Sequence, residues 1–421
     1  MSFYEHGFGG EKNVKKGETI LWPCVSFFVL FLMTKPFFAY PLTFLNTYFL
    51  LLAFGYYWFR DIKFPHTLTV FTLCFLLMIA IGMIGGLGYK QEDWLKDGWY
   101  FANPLLILST GYVFGRNSNA PMCAVTALLC ASIILSCFHI YSFIENPSLL
   151  FEKANEVRKE AGGGNIGTAL SVAFLLAGYQ GNRLLHAVAL ILCGSSFILS
   201  FSRTSLLAFL LLYFALKGLM GGKRLVTLGL IVALLAGGLL LVGHVMPEDR
   251  SSFLGKLARS NKELTIQDFT SMQDISDNYR GYETARTLND YFAGTPHEMV
   301  FGRGFGHLTD LGVYILDMRY IPIMHNGIAY VLLKTGIVGL LLFLGCFGYF
   351  FIKMFPYINA DDPELRFAAR TVQGLIAACL VCAWIVSGPF NKTLFNSSMY
   401  LLGFFLAVFN QSAVVSPEER R

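Results

Sequence analysis

PIMHNGIAYVLLKTGIVGLLLFLGCFGYFFI, residues 322–352, sets an imidazole and an amide, His325 and Asn326, directly ahead of an apolar run long enough to cross a bilayer. A hydrocarbon core about 30 Å thick needs roughly 20 apolar residues per helix, and stretches of this kind recur along almost the whole chain. Hydrophobic residues fill 55% of the 421 positions, charged residues only 14%, and the mean hydropathy is +0.55. These values exclude a soluble domain and imply an all-α polytopic membrane protein.

Twelve transmembrane helices are expected, over 19–34, 37–59, 66–88, 98–115, 120–144, 165–181, 184–201, 203–217, 225–245, 323–352, 369–388 and 395–410. Three regions follow: residues 1–245 with spans one to nine, a long loop over 246–322, and residues 323–421 with the last three spans and the C-terminus. The seventh and eighth spans are separated only by SFSRTS, residues 200–205, which reads as a helix broken at membrane depth. Irregular backbone is tolerated there only where protein or a watery cavity covers it, so the break points to a pocket.

The short loops set the orientation. With the N-terminus inside, the inner segments carry Lys12, Lys15, Lys16, Arg60, Lys63, Arg116, Arg183, Lys217, Lys223, Arg224, Lys353, Arg366, Arg370, Arg420 and Arg421. The outer short loops hold fewer basic residues, Lys35, Lys90, Lys96, Lys153, Arg158, Lys159, Arg203 and Lys392. The positive-inside rule then puts both termini in the cytoplasm and His325 on the outer face. The first apolar segment lacks a small-residue cleavage site before Pro36 and reads as a retained helix. All nine cysteines fall inside expected spans, where they serve as small membrane hydrophobes, and the Cys379-x-x-Cys382 pair has no companion. The net charge of +5 is spread along the loops and suggests no nucleic-acid partner.

Within the long loop, residues 274–295 combine good helix formers with aromatic residues at helical spacing, which predicts a helix lying at the membrane surface with Arg280, Tyr282 and Arg286 on it. The next stretch, VFGRGFGHLTD, alternates Gly302, Gly304 and Gly306 with Arg303 and Phe305. It fits a flexible turn or a backbone nest that approaches a phosphate.

Three residues stand out chemically. Arg203 lies at the outer end of the broken segment, where a guanidinium needs a partner, a cavity or the interface, and its planar fork of donors suits a phosphate. Snorkelling to lipid headgroups is the plainer alternative. Arg280 falls on the same face by topology. Histidine side chains in general can take up a proton near neutral pH, so His325 suits a general base acting on a hydroxyl, although a helix-capping histidine is the common reading. Asn326 reads equally as a cap, and Lys334, about 12 Å further in, needs to snorkel or find a buried polar partner. The chain contains no Asp-x-Asp and no outer His/carboxylate cluster with ligand spacing, so neither a metal nor another cofactor is expected.

The ordered set LSFSRTSLLAFLLL (199–212), Arg280, FGRGFG (301–306) and HNGIAYVLLKTGIVGLLLFL (325–344) resembles the O-antigen ligase and polymerase superfamily of bacterial envelopes. The resemblance covers about residues 165–352. It implies a glycosyltransferase of the inner membrane, moving a glycan from undecaprenyl diphosphate to a sugar hydroxyl at the periplasmic face. For a ligase the acceptor is lipid A–core; for a polymerase it is a second carrier-linked chain. The likeness assigns Arg203 and Arg280 to the donor diphosphate and His325 to the base; Arg286 has no counterpart in the family and, with Arg303, Asn326 and Tyr282, is a further candidate substrate contact by its place in the sequence. Direct in-line attack inverts the anomeric carbon. One arginine set beside one base favours the ligase. A transporter or glycan flippase is the rival of another class, but the spans lack both paired interrupted segments and acidic residues for proton coupling.

Overall fold

The computed structural model describes residues 66–117, 122–151, 160–161, 166–178, 183–200, 202–222, 278–315, 318–390 and 395–414, with a few single positions besides. The spans expected over 19–34, 37–59 and 225–245 lie outside the described residues. The other nine coincide with helices: α1 His66–Gly85, α2 Gln91–Asn117, α3 Met122–Glu145, α4 Ile166–Ala177, α5 Arg183–Leu199, α6 Arg203–Leu216, and three later ones. In the long loop come α7 Tyr279–Phe292 and α8 Pro296–Phe301, then strands β1 Thr309–Ile315 and β2 Met318–Ile321. The chain returns through α9 Gly327–Lys353, α10 Pro363–Val386 and α11 Asn396–Val414. The protein is an all-α membrane protein in its bundle, and α1, α3, α9 and α10 are each long and apolar enough to span a bilayer.

The secondary structure of the long loop departs from expectation in its helix and in a hairpin. The loop helix is shorter than 274–295, starting at Tyr279 and ending at Phe292, where Ala293, Gly294 and the Thr295–Glu298 capping box of α8 take over. The loop also contains an antiparallel hairpin, with Asp310 opposite Tyr320 and Ile315 opposite Met318. Its alternation is short and interrupted by Gly312, so it carries little periodic signal.

Small residues let the helices approach closely. Gly111 and Gly115 of α2 lie against the backbone of Tyr400 and Phe404 in α11, and Gly403 lies against Leu108; a Cβ on Gly111 would sit 2.0 Å from the Tyr400 carbonyl oxygen. In lipid, where apolar tails already solvate leucine, this backbone contact is what holds a helix pair together. Helices α6 and α10 meet in the same way, Gly374 facing Leu212 and Ala215.

Helix α9 is broken at Gly336, whose φ of 65° lies in the left-handed region. In an unbroken helix the carbonyls of Leu333 and Lys334 would accept from residues four positions on. Here they accept from Arg303 N at 2.8 Å and Gly304 N at 3.2 Å. The FGRGFG turn therefore enters the bundle and completes the broken helix, as buried backbone in a membrane protein requires. It is neither a flexible turn nor a phosphate nest. Its next two amides are also committed, Phe305 N to Gly82 O at 2.7 Å and Gly306 N to Asp97 Oδ2 at 2.8 Å. Phe305 is fully buried, its ring tilted against Phe101 with centroids 4.9 Å apart and lying on Gly82.

The partner sought for Lys334 is Asp97. Helix α2 starts seven residues before the expected span and so brings this carboxylate into the bundle. Asp97 Oδ2 accepts from Lys334 Nζ at 2.6 Å, Oδ1 accepts from Tyr330 at 2.7 Å, and Lys334 also donates to the His307 carbonyl.

Candidate active site

The site is built around the N-terminus of α9. Asn326 is its N-cap, accepting from Ala329 N at 3.0 Å, and it is buried. The residue before a cap lies outside the helix, so the His325 side chain is free to project, and it is 47% exposed. Its backbone is fastened from behind. Ser387, the residue after α10, takes a left-handed conformation (φ 63°); its amide donates to the His325 carbonyl, and its hydroxyl donates to Met324 O at 2.6 Å. Gly327 is needed here, since a Cβ would lie 2.6 Å from the Ser387 oxygen.

The ring is held from the loop. Helix α7 presents Glu283, whose side chain is 1% exposed, and both carboxylate oxygens are used on one residue. Oε1 accepts from His325 N at 2.8 Å and Oε2 from His325 Nδ1 at 2.7 Å. With Nδ1–H donating, the remaining ring nitrogen, Nε2, keeps its lone pair. Tyr279 packs edge-on against the imidazole, ring centroids 5.9 Å apart. Burial and the Glu283 charge push the Tyr279 hydroxyl up to about 12, so it stays protonated.

The arginines take different positions. Arg203 is the first residue of α6, whose start is fixed by Ser202 accepting from Ser205 N. One residue on, the Thr204 carbonyl meets the Cys382 thiol on α10, and Ser387 follows Cys382 by little more than a turn. Arg203 therefore opens its helix at the same end of the bundle as His325. Arg280 sits between Tyr279 and Glu283 in the first turn of α7. Arg286 turns to the hairpin, donating to Asp310 O from Nε at 3.2 Å and Nη2 at 3.0 Å. Tyr282 donates to Leu311 O. Arg303 donates to Asp290 O at 2.6 Å.

Two turns beyond Glu283 on the same face of α7, Asp290 accepts from His307 Nε2 at 2.8 Å, and His307 Nδ1 meets Tyr89 at 3.2 Å. Burial raises the Asp290 carboxyl, but His307 and Arg303 outweigh it and hold it below the usual carboxylate value. Helix α7 thus carries two His–carboxylate pairs seven residues, or about 10 Å, apart. Only the first has an exposed imidazole; the His307 side chain is 13% exposed. Among the described residues no group of three or more His, Cys, Asp or Glu side chains could hold a metal ion.

Sequence reasoning missed Glu283. On a loop helix a glutamate reads as a solvated charge, and only the requirement that a histidine base be oriented by a carboxylate could have singled it out.

Residues 188–344 match the family model described as O-antigen ligase. The likeness to the O-antigen ligase and polymerase superfamily therefore holds over this segment. The matched segment spans less than half of the chain, but it contains Arg203, Arg280, Glu283 and His325. Members of the family act on lipid-linked glycans. No curated protein matches the chain.

Proposed function

We propose that the protein is an O-antigen ligase, transferring a glycan en bloc from undecaprenyl diphosphate to a sugar hydroxyl of lipid A–core. The observation that carries the reading is the exposed His325 ring tied through Nδ1 to a buried carboxylate, inside the O-antigen ligase segment and at the same end of the bundle as Arg203. The protein sits in the bacterial inner membrane with both termini in the cytoplasm, and this end of the bundle faces the periplasm.

The acceptor hydroxyl gives its proton to His325 Nε2 as its oxygen attacks the anomeric carbon. A new C–O bond forms on one face while the bond from that carbon to the diphosphate oxygen breaks on the other, so the configuration inverts. The electron pair leaves on undecaprenyl diphosphate. Arg203 and Arg280 neutralise the charge that develops there, which is the main demand of such a leaving group. Preorganised arginines supply that charge, and neither a metal nor another cofactor has a role in the reaction. Arg286, Arg303, Asn326 and Tyr282 frame the site; each already holds a protein partner that shapes the loop or starts α9.

Lipopolysaccharide gels of a deletion strain test the assignment. Long chains should vanish from lipid A–core while carrier-linked polymer accumulates. Core bearing a single repeat would instead make the protein a polymerase, and unchanged lipopolysaccharide would overturn the assignment.

A further inference from the structure

We propose that Glu283 is the positioning residue of this site: its carboxylate sets the tautomer of His325 and holds the ring so that Nε2 faces the acceptor hydroxyl. The inference rests on the reading of His325 as the base.

The geometry is unusually restrictive, because the two oxygens of one carboxylate are divided between two donors of one residue. Oε1 takes the backbone amide of His325 at 2.8 Å, and Oε2 takes ring Nδ1 at 2.7 Å. The amide fixes where the chain enters α9, and the second bond fixes the rotation of the ring. Carboxylates are acceptors only. Nδ1 must therefore carry the proton, and Nε2 must be the acceptor at the exposed edge. When Nε2 takes a proton, the resulting imidazolium lies against an anion that was in place beforehand, with no solvent to reorganise on that side. Burial of the Glu283 side chain keeps water from competing for either oxygen. Tyr279 limits tilting of the ring from one side.

The arrangement makes Glu283→Gln a sharp test. The backbone N–H of His325 can only donate, so the amide oxygen of the glutamine must stay where Oε1 was. Its NH2 then points at Nδ1, which must become the acceptor. The ring proton moves to Nε2, and the exposed edge loses its lone pair. The shape, both hydrogen bonds and the fold are retained; the base is disabled. In the serine-protease triad the equivalent exchange of acid for amide lowers kcat by about 10⁴ through the wrong tautomer.

The experiment uses the full chain in lipid nanodiscs, labelled with ¹⁵N-histidine. The donor is carrier-linked O-antigen extracted from a strain lacking this protein, and the acceptor is purified lipid A–core. The nitrogen signals lost in His325→Ala identify this ring. Wild type is expected to show a protonated Nδ1 and a bare Nε2. Glu283→Gln is expected to show the reverse, with kcat lowered at least 100-fold and KM for the donor within about threefold. Turnover near wild type in Glu283→Gln, or a loss of turnover with Nδ1 still protonated, overturns the positioning role. Full transfer by His325→Ala would instead sink the base assignment, and with it the reading on which this inference depends.

Discussion

Lys334 Nζ lies 2.6 Å from Asp97 Oδ2, and neither side chain has any exposed surface. The pair links α9 to α2, and Asp97 also accepts from Gly306 N of the glycine turn. Removing one partner of such a pair leaves an uncompensated charge in the bundle. Lys334→Met should therefore lower stability by about 3–5 kcal/mol. Asp97→Asn combined with Lys334→Met removes both charges and should recover part of that loss. Thermal unfolding of wild type, Lys334→Met, Asp97→Asn and the double variant in one detergent checks this; a double variant as unstable as the sum of the singles contradicts the coupling.

Arg203→Ala and Arg280→Ala are each expected to lower transfer at least tenfold, since one donor to a developing anion contributes about 2.7–4 kcal/mol. Arg286→Ala should do less to kcat, because its guanidinium holds the Asp310 carbonyl. Proteolysis of its hairpin should quicken instead. Single-turnover rates beside a limited digest separate these outcomes, and unaltered transfer in both Arg203→Ala and Arg280→Ala refutes the diphosphate clamp.

Gly304→Ala should fold poorly. The residue has φ of 83°, and the new Cβ would lie 2.1 Å from the Gly85 carbonyl carbon. Left-handed strain and overpacking together amount to roughly 2–5 kcal/mol. Gly345→Ala meets no neighbouring atom, and its effect should stay within about 1 kcal/mol. Melting temperatures of the two variants decide whether the glycine turn is locked into the bundle.

The Asp290 carboxyl is held below its ordinary 3.8 by His307 and Arg303 against the opposing effect of burial. A depressed folded-state value means the stabilisation is present above the unfolded value and is lost as pH falls through the folded one. Stability should thus decline below about pH 4, and Asp290→Asn should flatten that part of the profile. An unchanged acid profile in the variant would remove Asp290 as a source of it.

The membrane class, nine of the described helices and the standing of Arg203, Arg280 and His325 as candidates were legible from sequence, because apolar length and isolated polar residues are local properties. That Asn326 would cap α9 was equally readable, since a cap needs only its own next turn. Glu283 and Asp97 were invisible for a common reason: each acts on a residue more than 40 positions away, and in sequence each resembles an ordinary surface charge. The break at Gly336 was hidden because a glycine in an apolar run is usually tolerated without one. Only tertiary packing supplies the FGRGFG amides to the two carbonyls the break releases, and only packing sets a buried carboxylate behind an exposed imidazole, since both depend on where separate segments meet.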